Sequence, residues 1–166
     1  MWLVVVLFIG GMIYVTLNSS KDVEKIKNKK ISLYKNMGYE YINNNFQVKY
    51  KGGIKDISVN SYVSVDLLKE GVSFGEGEKI VLFKNIKDLS LENETQIQQQ
   101  ISLGKMLVFG GLAFAMERKN KEINNEYIVL SVEDNKGKYN ILLQSTDQKD
   151  NQSNYNKLRE LKEYTN

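Results

Sequence analysis

Tyr127-Ile128-Val129-Leu130-Ser131-Val132, then Asn135-Lys136-Gly137-Lys138, then Tyr139-Asn140-Ile141-Leu142-Leu143 is the stretch that decides the fold. The two flanking runs are rich in β-branched, aromatic and aliphatic residues, which suit a pleated, buried surface. The short segment between them carries Asn and Gly, which tolerate the backbone angles a tight turn needs. Strand, turn and strand in that order read as a β-hairpin. Downstream, Asn154 to Tyr164 reads as a helix: Tyr155, Leu158 and Leu161 recur at i, i+3 and i+6 on one face, and Asn154 is the expected N-cap. Such a helix can cap the open end of a sheet. Leu158 and Leu161 are then core contacts rather than a partner-binding stripe.

Upstream of the hairpin the same period-two pattern recurs in short pieces. Phe46-Gln47-Val48-Lys49-Tyr50 alternates until Gly52-Gly53 breaks it. Tyr62 to Leu68 is the next strand, Glu70-Gly71 turns into Val72-Ser73-Phe74, and Gly75 to Gly77 turns into Lys79 to Phe83. Ile86 to Ile101 reads as one long polar strand, with Leu89, Leu91 and Ile97 on alternate positions. Short strands separated by Gly and Asn turns argue for an antiparallel sheet or barrel. Ile101 to Met116, ISLGKMLVFGGLAFAM, is too short in its apolar part for a membrane span. It is expected to be a buried helix or bent hairpin. The alternative is a membrane-dipping loop bracketed by Lys105 and Glu117-Arg118-Lys119.

At the other end of the chain, Trp2 to Leu17 is WLVVVLFIGGMIYVTL, without a charge. About sixteen residues at roughly 1.5 Å each give about 24 Å of helix. That is short but workable against a hydrocarbon core of about 30 Å. Trp2, Leu7, Phe8, Ile9, Ile13 and Tyr14 are the residues expected to sit in lipid, with Trp2 and Tyr14 suited to the interfaces. No Lys or Arg precedes the run and no Ala-x-Ala site follows it, so an uncleaved anchor is favoured over a cleaved signal peptide. The flank KDVEKIKNKK carries Lys21, Lys25, Lys27, Lys29 and Lys30. The positive-inside rule puts the rest of the chain in the cytoplasm. Residues 21–36 look helical. Their lysines are expected either to set topology or to contact anionic lipid as well.

The 166-residue chain has no Cys and no His. Disulfides, thiolate metal sites, Cys nucleophiles, and the commonest general base and zinc ligand are thereby excluded. Pro is also absent, and Asn, Lys and Ile are abundant, as an AT-rich genome would give. A net charge of +3, interleaved with Asp and Glu, lacks the concentrated basic stripe of a nucleic-acid binder. Gly75-Glu76-Gly77 and Gly104-Lys105 do not have the spacing of a phosphate loop. Glu92 with Glu94 and Glu76 with Glu78 each fall on one face if they lie on strands, which suits Ca²⁺ or acid–base work. A solvated strand face explains them better. Ser102 and Lys105 have S-x-x-K spacing without the other motifs of that enzyme class. No enzyme, cofactor or metal is expected.

The order of elements resembles the pleckstrin-homology-like superfold. Three stretches carry the resemblance: Tyr50-Lys51-Gly52-Gly53-Ile54; Leu68 to Phe74 followed by Val81 to Leu89; and Ser102 to Ala115 followed by a basic cluster and the strand Tyr127 to Val132. Their strand and Gly-turn rhythm is similar to that of bacterial PH and GRAM-like domains of Firmicutes type. The match covers about Phe46 to Tyr164 and carries no catalytic residue. The resemblance implies a binding or scaffold module, often tethered to a membrane. It does not bring phosphoinositide binding with it, since no dense Lys/Arg fork lies in one strand and loop.

The expectation is therefore a β-rich α+β chain: a membrane anchor over 1–18, a basic juxtamembrane helix or linker over 19–45, and a PH-like antiparallel barrel or sandwich with a closing helix over 46–166. Its partners would be the bilayer and an unidentified protein, not nucleic acid. Candidate lipid-surface contacts are Lys25, Lys27, Lys29, Lys30, Lys105, Phe109 and Phe114. The alternative is an exported, outward-facing envelope domain of the same fold.

Overall fold

The computed structural model describes residues 21–104, 125–147 and 149–165. A helix, α1, runs over residues 21–36. Strands β1 (Tyr41–Gly52), β2 (Tyr62–Leu68), β3 (Gly71–Phe74) and β4 (Lys79–Leu82) follow as an antiparallel meander. A 3₁₀ turn at Phe83–Asn85 leads into β5 (Ile86–Asn93), and helix α2 (Glu94–Ser102) continues directly from it. The hairpin β6 (Glu126–Asp134) and β7 (Gly137–Ser145) and helix α3 (Lys149–Thr165) complete the described chain. The strands form one seven-stranded sheet in the order β4-β3-β2-β1-β7-β6-β5. β1 is the seam: it pairs with β2 through Val48↔Val63 and with β7 through Tyr50↔Leu143. Its register shifts within both pairings, and such bulges sharpen the local twist.

Alternation sorts the strands' side chains into faces. Val63, Val65 and Leu67 on β2, Val72 and Phe74 on β3, and Ile128, Leu130, Ile141 and Leu143 on the hairpin all enter one core. α3 closes it with Leu158, and Tyr155 and Leu161 pack beside it. The hairpin reads as a nearly unbroken apolar run because both of its faces are covered. Tyr127, Val129 and Leu142 point the other way, into a small second cluster with Ile97 of α2.

α3 lies at one end of the sheet. Asn151 near its start donates to the Glu126 carbonyl and accepts the Ser145 amide, and Thr165 at its finish donates to the carbonyl of Lys69 in the β2–β3 turn. The β1–β2, β3–β4 and β6–β7 connections therefore fall at the opposite end. α1 lies against the outer face of β2 and β3, where Lys30 and Tyr34 reach Asp66 and Ser73.

Several boundaries differ from the sequence expectation. β1 begins at Tyr41, inside the stretch read as linker, because Tyr41 already pairs with Leu68. The long strand expected over Ile86 to Ile101 ends at Asn93. There the Asn93 side chain accepts the Gln96 amide while the Gln96 side chain accepts the Asn93 amide, a reciprocal cap that starts a helix. α3 starts at Lys149, where Asp147 accepts the Lys149 amide, so Asn154 is an interior residue and not a cap. Among the described residues no helix is long and apolar enough to cross a membrane. The proposed anchor, and the apolar stretch from Lys105 onward with Phe109 and Phe114, lie outside the described residues.

Candidate binding site at the basic end of the sheet

At the end away from α3, three connections surround a cleft of about 210 Å³. The β1–β2 loop supplies Gly53, Ile54, Lys55 and Asp56; β4 supplies Lys79 from its first position; the β6–β7 turn supplies Lys136; and Tyr139 forms a wall. Each part is fixed by a local feature of the sequence. Gly53, at φ +114°, crosses so close to β7 that a Cβ would collide with the Asn140 backbone carbonyl. The Tyr50 hydroxyl donates to the Ile54 carbonyl and accepts the Ile54 amide, which closes the loop's first turn. Lys55 and Asp56 emerge exposed from this anchored base.

The β6–β7 turn is held from within. Asp134 accepts the Lys136 amide at 2.8 Å and the Tyr139 hydroxyl at 3.0 Å. Burial and the bond to Asp134 both raise the Tyr139 pKa, so the phenol that lines the cleft stays neutral. Lys79 pairs with Phe74 directly across the β3–β4 turn, so that turn sets its position. Among the described residues, none of Lys55, Lys79 and Lys136 has a carboxylate within ion-pair distance.

Three ammonium groups and one carboxylate around a small cleft favour a compact anionic group. The volume lies below the roughly 300 Å³ at which pockets begin to enclose drug-sized molecules. It suits a single phosphate-like or carboxylate head. The lysines supply the attraction for such a group, and Asp56 limits where it can sit. A second, open depression on the other side of the β1–β2 loop is lined by Ser58, Ser61, Ser64, Glu76 and Glu78. Asp56 stands on the ridge between the two.

The residues singled out from sequence are scattered. Lys25, Lys27 and Lys29 lie on the exposed part of α1. Lys30 is turned inward instead: it is 6% exposed, with Nζ 2.6 Å from Asp66 Oδ1, and presents no charge to a lipid surface. Glu92 and Glu94 do not share a strand face, because the helix cap at Asn93 separates them. Glu92 accepts from Ser90 and Gln100, and Glu94 from Gln98. Glu76 and Glu78 lie in the β3–β4 turn, not on a strand. Ser102 donates to the Gln99 carbonyl at the exposed end of α2, and Lys105 lies outside the described residues. Among the described residues no group of three or more carboxylates is placed to hold a metal ion.

Lys55, Lys79 and Lys136 are far apart in the chain, so no local pattern joins them. The available signal was connectivity. In an antiparallel meander alternate turns fall at the same end, so Lys55 in the first turn and Lys79 beside the third belong together; Lys136 joins them only because β7 pairs antiparallel with β1. No known protein-family model matches this sequence, and no curated protein matches it.

Proposed function

We propose that this chain is a membrane-tethered, PH-like binding module on the inner face of a bacterial membrane, whose basic cleft receives an anionic group of its ligand. One observation carries the reading: Lys55, Lys79 and Lys136 converge from three separate turns at one end of a sheet whose other end is closed by α3. The short antiparallel strands, the final hairpin and the C-terminal helix are the order of elements on which the PH-like resemblance rests, and they support a binding role. The tether is the apolar segment Trp2 to Leu17, and the lysines that follow it support the inner face. Tethering raises the local concentration beside membrane targets, so a modest intrinsic affinity suffices.

Two measurements on the full chain test this. C-terminal fusions to a reporter active only in the cytoplasm, and to one active only outside, should give a cytoplasmic signal in the membrane fraction. An external signal would overturn the inner-face assignment in favour of the envelope alternative. Calorimetric titration of the detergent-solubilised chain with inorganic pyrophosphate should be saturable and weaken with salt. The triple variant Lys55→Gln, Lys79→Gln, Lys136→Gln should lose at least tenfold in affinity. Equal binding by the variant removes the cleft from the proposal.

A further inference from the structure

α1 touches the domain at a point that bears on the cleft. Its first nine residues, 21–29, are all exposed, and its attachment begins at Lys30. From there two neighbouring rows of side chains face the sheet. Lys30 and Tyr34 bond to Asp66 and Ser73 on the outer face of β2 and β3. Leu33 and Met37 lie against Gly77 in the β3–β4 turn, so closely that a Cβ there would come within 3.2 Å of the Met37 methyl. Lys29 adds a long contact of 4.0 Å to Glu76 in the same turn.

That turn depends on support. Gly75, Glu76 and Gly77 take φ of +64°, +54° and +98° in succession. A left-handed Glu between two glycines is a conformation that persists where its surroundings hold it. Two residues further on, Lys79 pairs with Phe74 across the turn and lines the cleft. The turn thus has α1 on one side and a cleft lysine on the other.

α1 is also suited to leaving. Its main fastening is a polar network rather than a broad apolar face, and separation lets water solvate the charges of Lys30 and Asp66. We infer that α1 is a regulator of the basic cleft: docked, it holds the β3–β4 turn that positions Lys79; undocked, it releases the turn and weakens anion binding. By linkage, an anion in the cleft must tighten the docking of α1 by the same factor. Because α1 follows the apolar segment Trp2 to Leu17 in the sequence, it would then report cleft occupancy towards the membrane. This rests on the cleft being an anion site, as proposed above.

The test uses the full chain in detergent with inorganic pyrophosphate as the probe. Saturating pyrophosphate should slow amide hydrogen exchange in residues 30–37 by about fivefold or more, the low end of ordinary allosteric coupling. The variant Leu33→Ser with Met37→Ser should bind pyrophosphate more weakly by a similar factor. The variant Lys55→Gln with Lys136→Gln, which leaves the turn and α1 untouched, should abolish the protection. Pyrophosphate binding with unchanged exchange in α1 overturns the coupling and leaves the cleft standing. No pyrophosphate binding to the unsubstituted chain overturns both. The exchange measurement needs no variant, so it decides the matter even if the serine pair fails to fold.

Discussion

Asp66 is fully enclosed, and its carboxylate oxygens are taken up by three neighbours: Lys30 at 2.6 Å and Ser64 at 3.4 Å on Oδ1, and the Tyr34 hydroxyl at 2.6 Å on Oδ2. A buried charge of this kind is costly to orphan, whereas replacing the whole pair with apolar groups is often neutral. Lys30→Ala is therefore expected to cost about 3 kcal/mol, the low end for a broken buried pair, because water can follow the truncated side chain. Lys30→Met with Asp66→Leu should recover most of that loss. Urea denaturation midpoints for the two variants check this. A single substitution costing under about 1 kcal/mol would mean that α1 is already undocked in solution. The inward turn of Lys30 was partly legible beforehand. It shares a helical face with Ile26, Leu33 and Tyr34, which the count of lysines in the basic flank concealed. Its partner was not legible, since Asp66 sits 36 residues away on the outward face of a strand.

At the scale of elements, the antiparallel strands between Phe46 and Phe83 and the β6–β7 hairpin were readable because side-chain alternation and Gly turns are local signals. Helix starts were less so. Asn93 and Asn151 both begin or anchor helices, and only at Asn93 does apolar spacing hide the role. Leu89, Leu91 and Ile97 keep an even spacing that suits a strand, but the Asn93 and Gln96 side chains offer the backbone a reciprocal cap that a strand cannot use. Asn151 is different again. It sits buried inside α3 and bonds two backbone groups from β6 and β7, which no pattern within the helix could reveal. The two asparagines should accordingly differ in cost. Asn93→Ala removes an exposed cap and is expected to destabilise by about 1 kcal/mol. Asn151→Ala leaves the buried Ser145 amide without its partner, at about 1–3 kcal/mol, and the part-buried Glu126 carbonyl as well. Comparing the two by thermal denaturation tests the assignment. Equal costs would contradict the anchoring role of Asn151. The basic cleft was the least legible element, because it is a product of topology: its lysines become neighbours only once the order of the strands is known.

For the molecule as a whole, buried phenols tie stability to alkaline pH. Tyr34, Tyr50 and Tyr139 belong to three different parts of the fold: the docked helix, the β1–β2 loop and the β6–β7 turn. Burial raises all three pKa values above the ordinary 10.0, with Tyr50 pushed up to about 12. Carboxylate acceptors add to the effect at Tyr34, through Asp66, and at Tyr139, through Asp134. A phenol whose folded pKa is raised holds its proton more tightly in the native state than in the unfolded chain. Its contribution is complete below pH 10 and is lost as pH rises towards the folded value. Stability should therefore show no tyrosine-linked decline between pH 7 and 9. It should then fall from about pH 10 through 12, with the residues carrying a carboxylate acceptor resisting longest. Phenolate absorbance near 295 nm and circular dichroism followed on one sample resolve the order of events. The buried set should ionise together with the loss of the sheet signal. Replacing Tyr34 with Phe removes one linked group while keeping the ring against Tyr41, so it should make the alkaline decline shallower. If the buried phenols instead ionise smoothly near pH 10 with the sheet intact, water reaches them in the native state. The enclosed Tyr34–Asp66 network would then be wrong, and with it the fastening of α1.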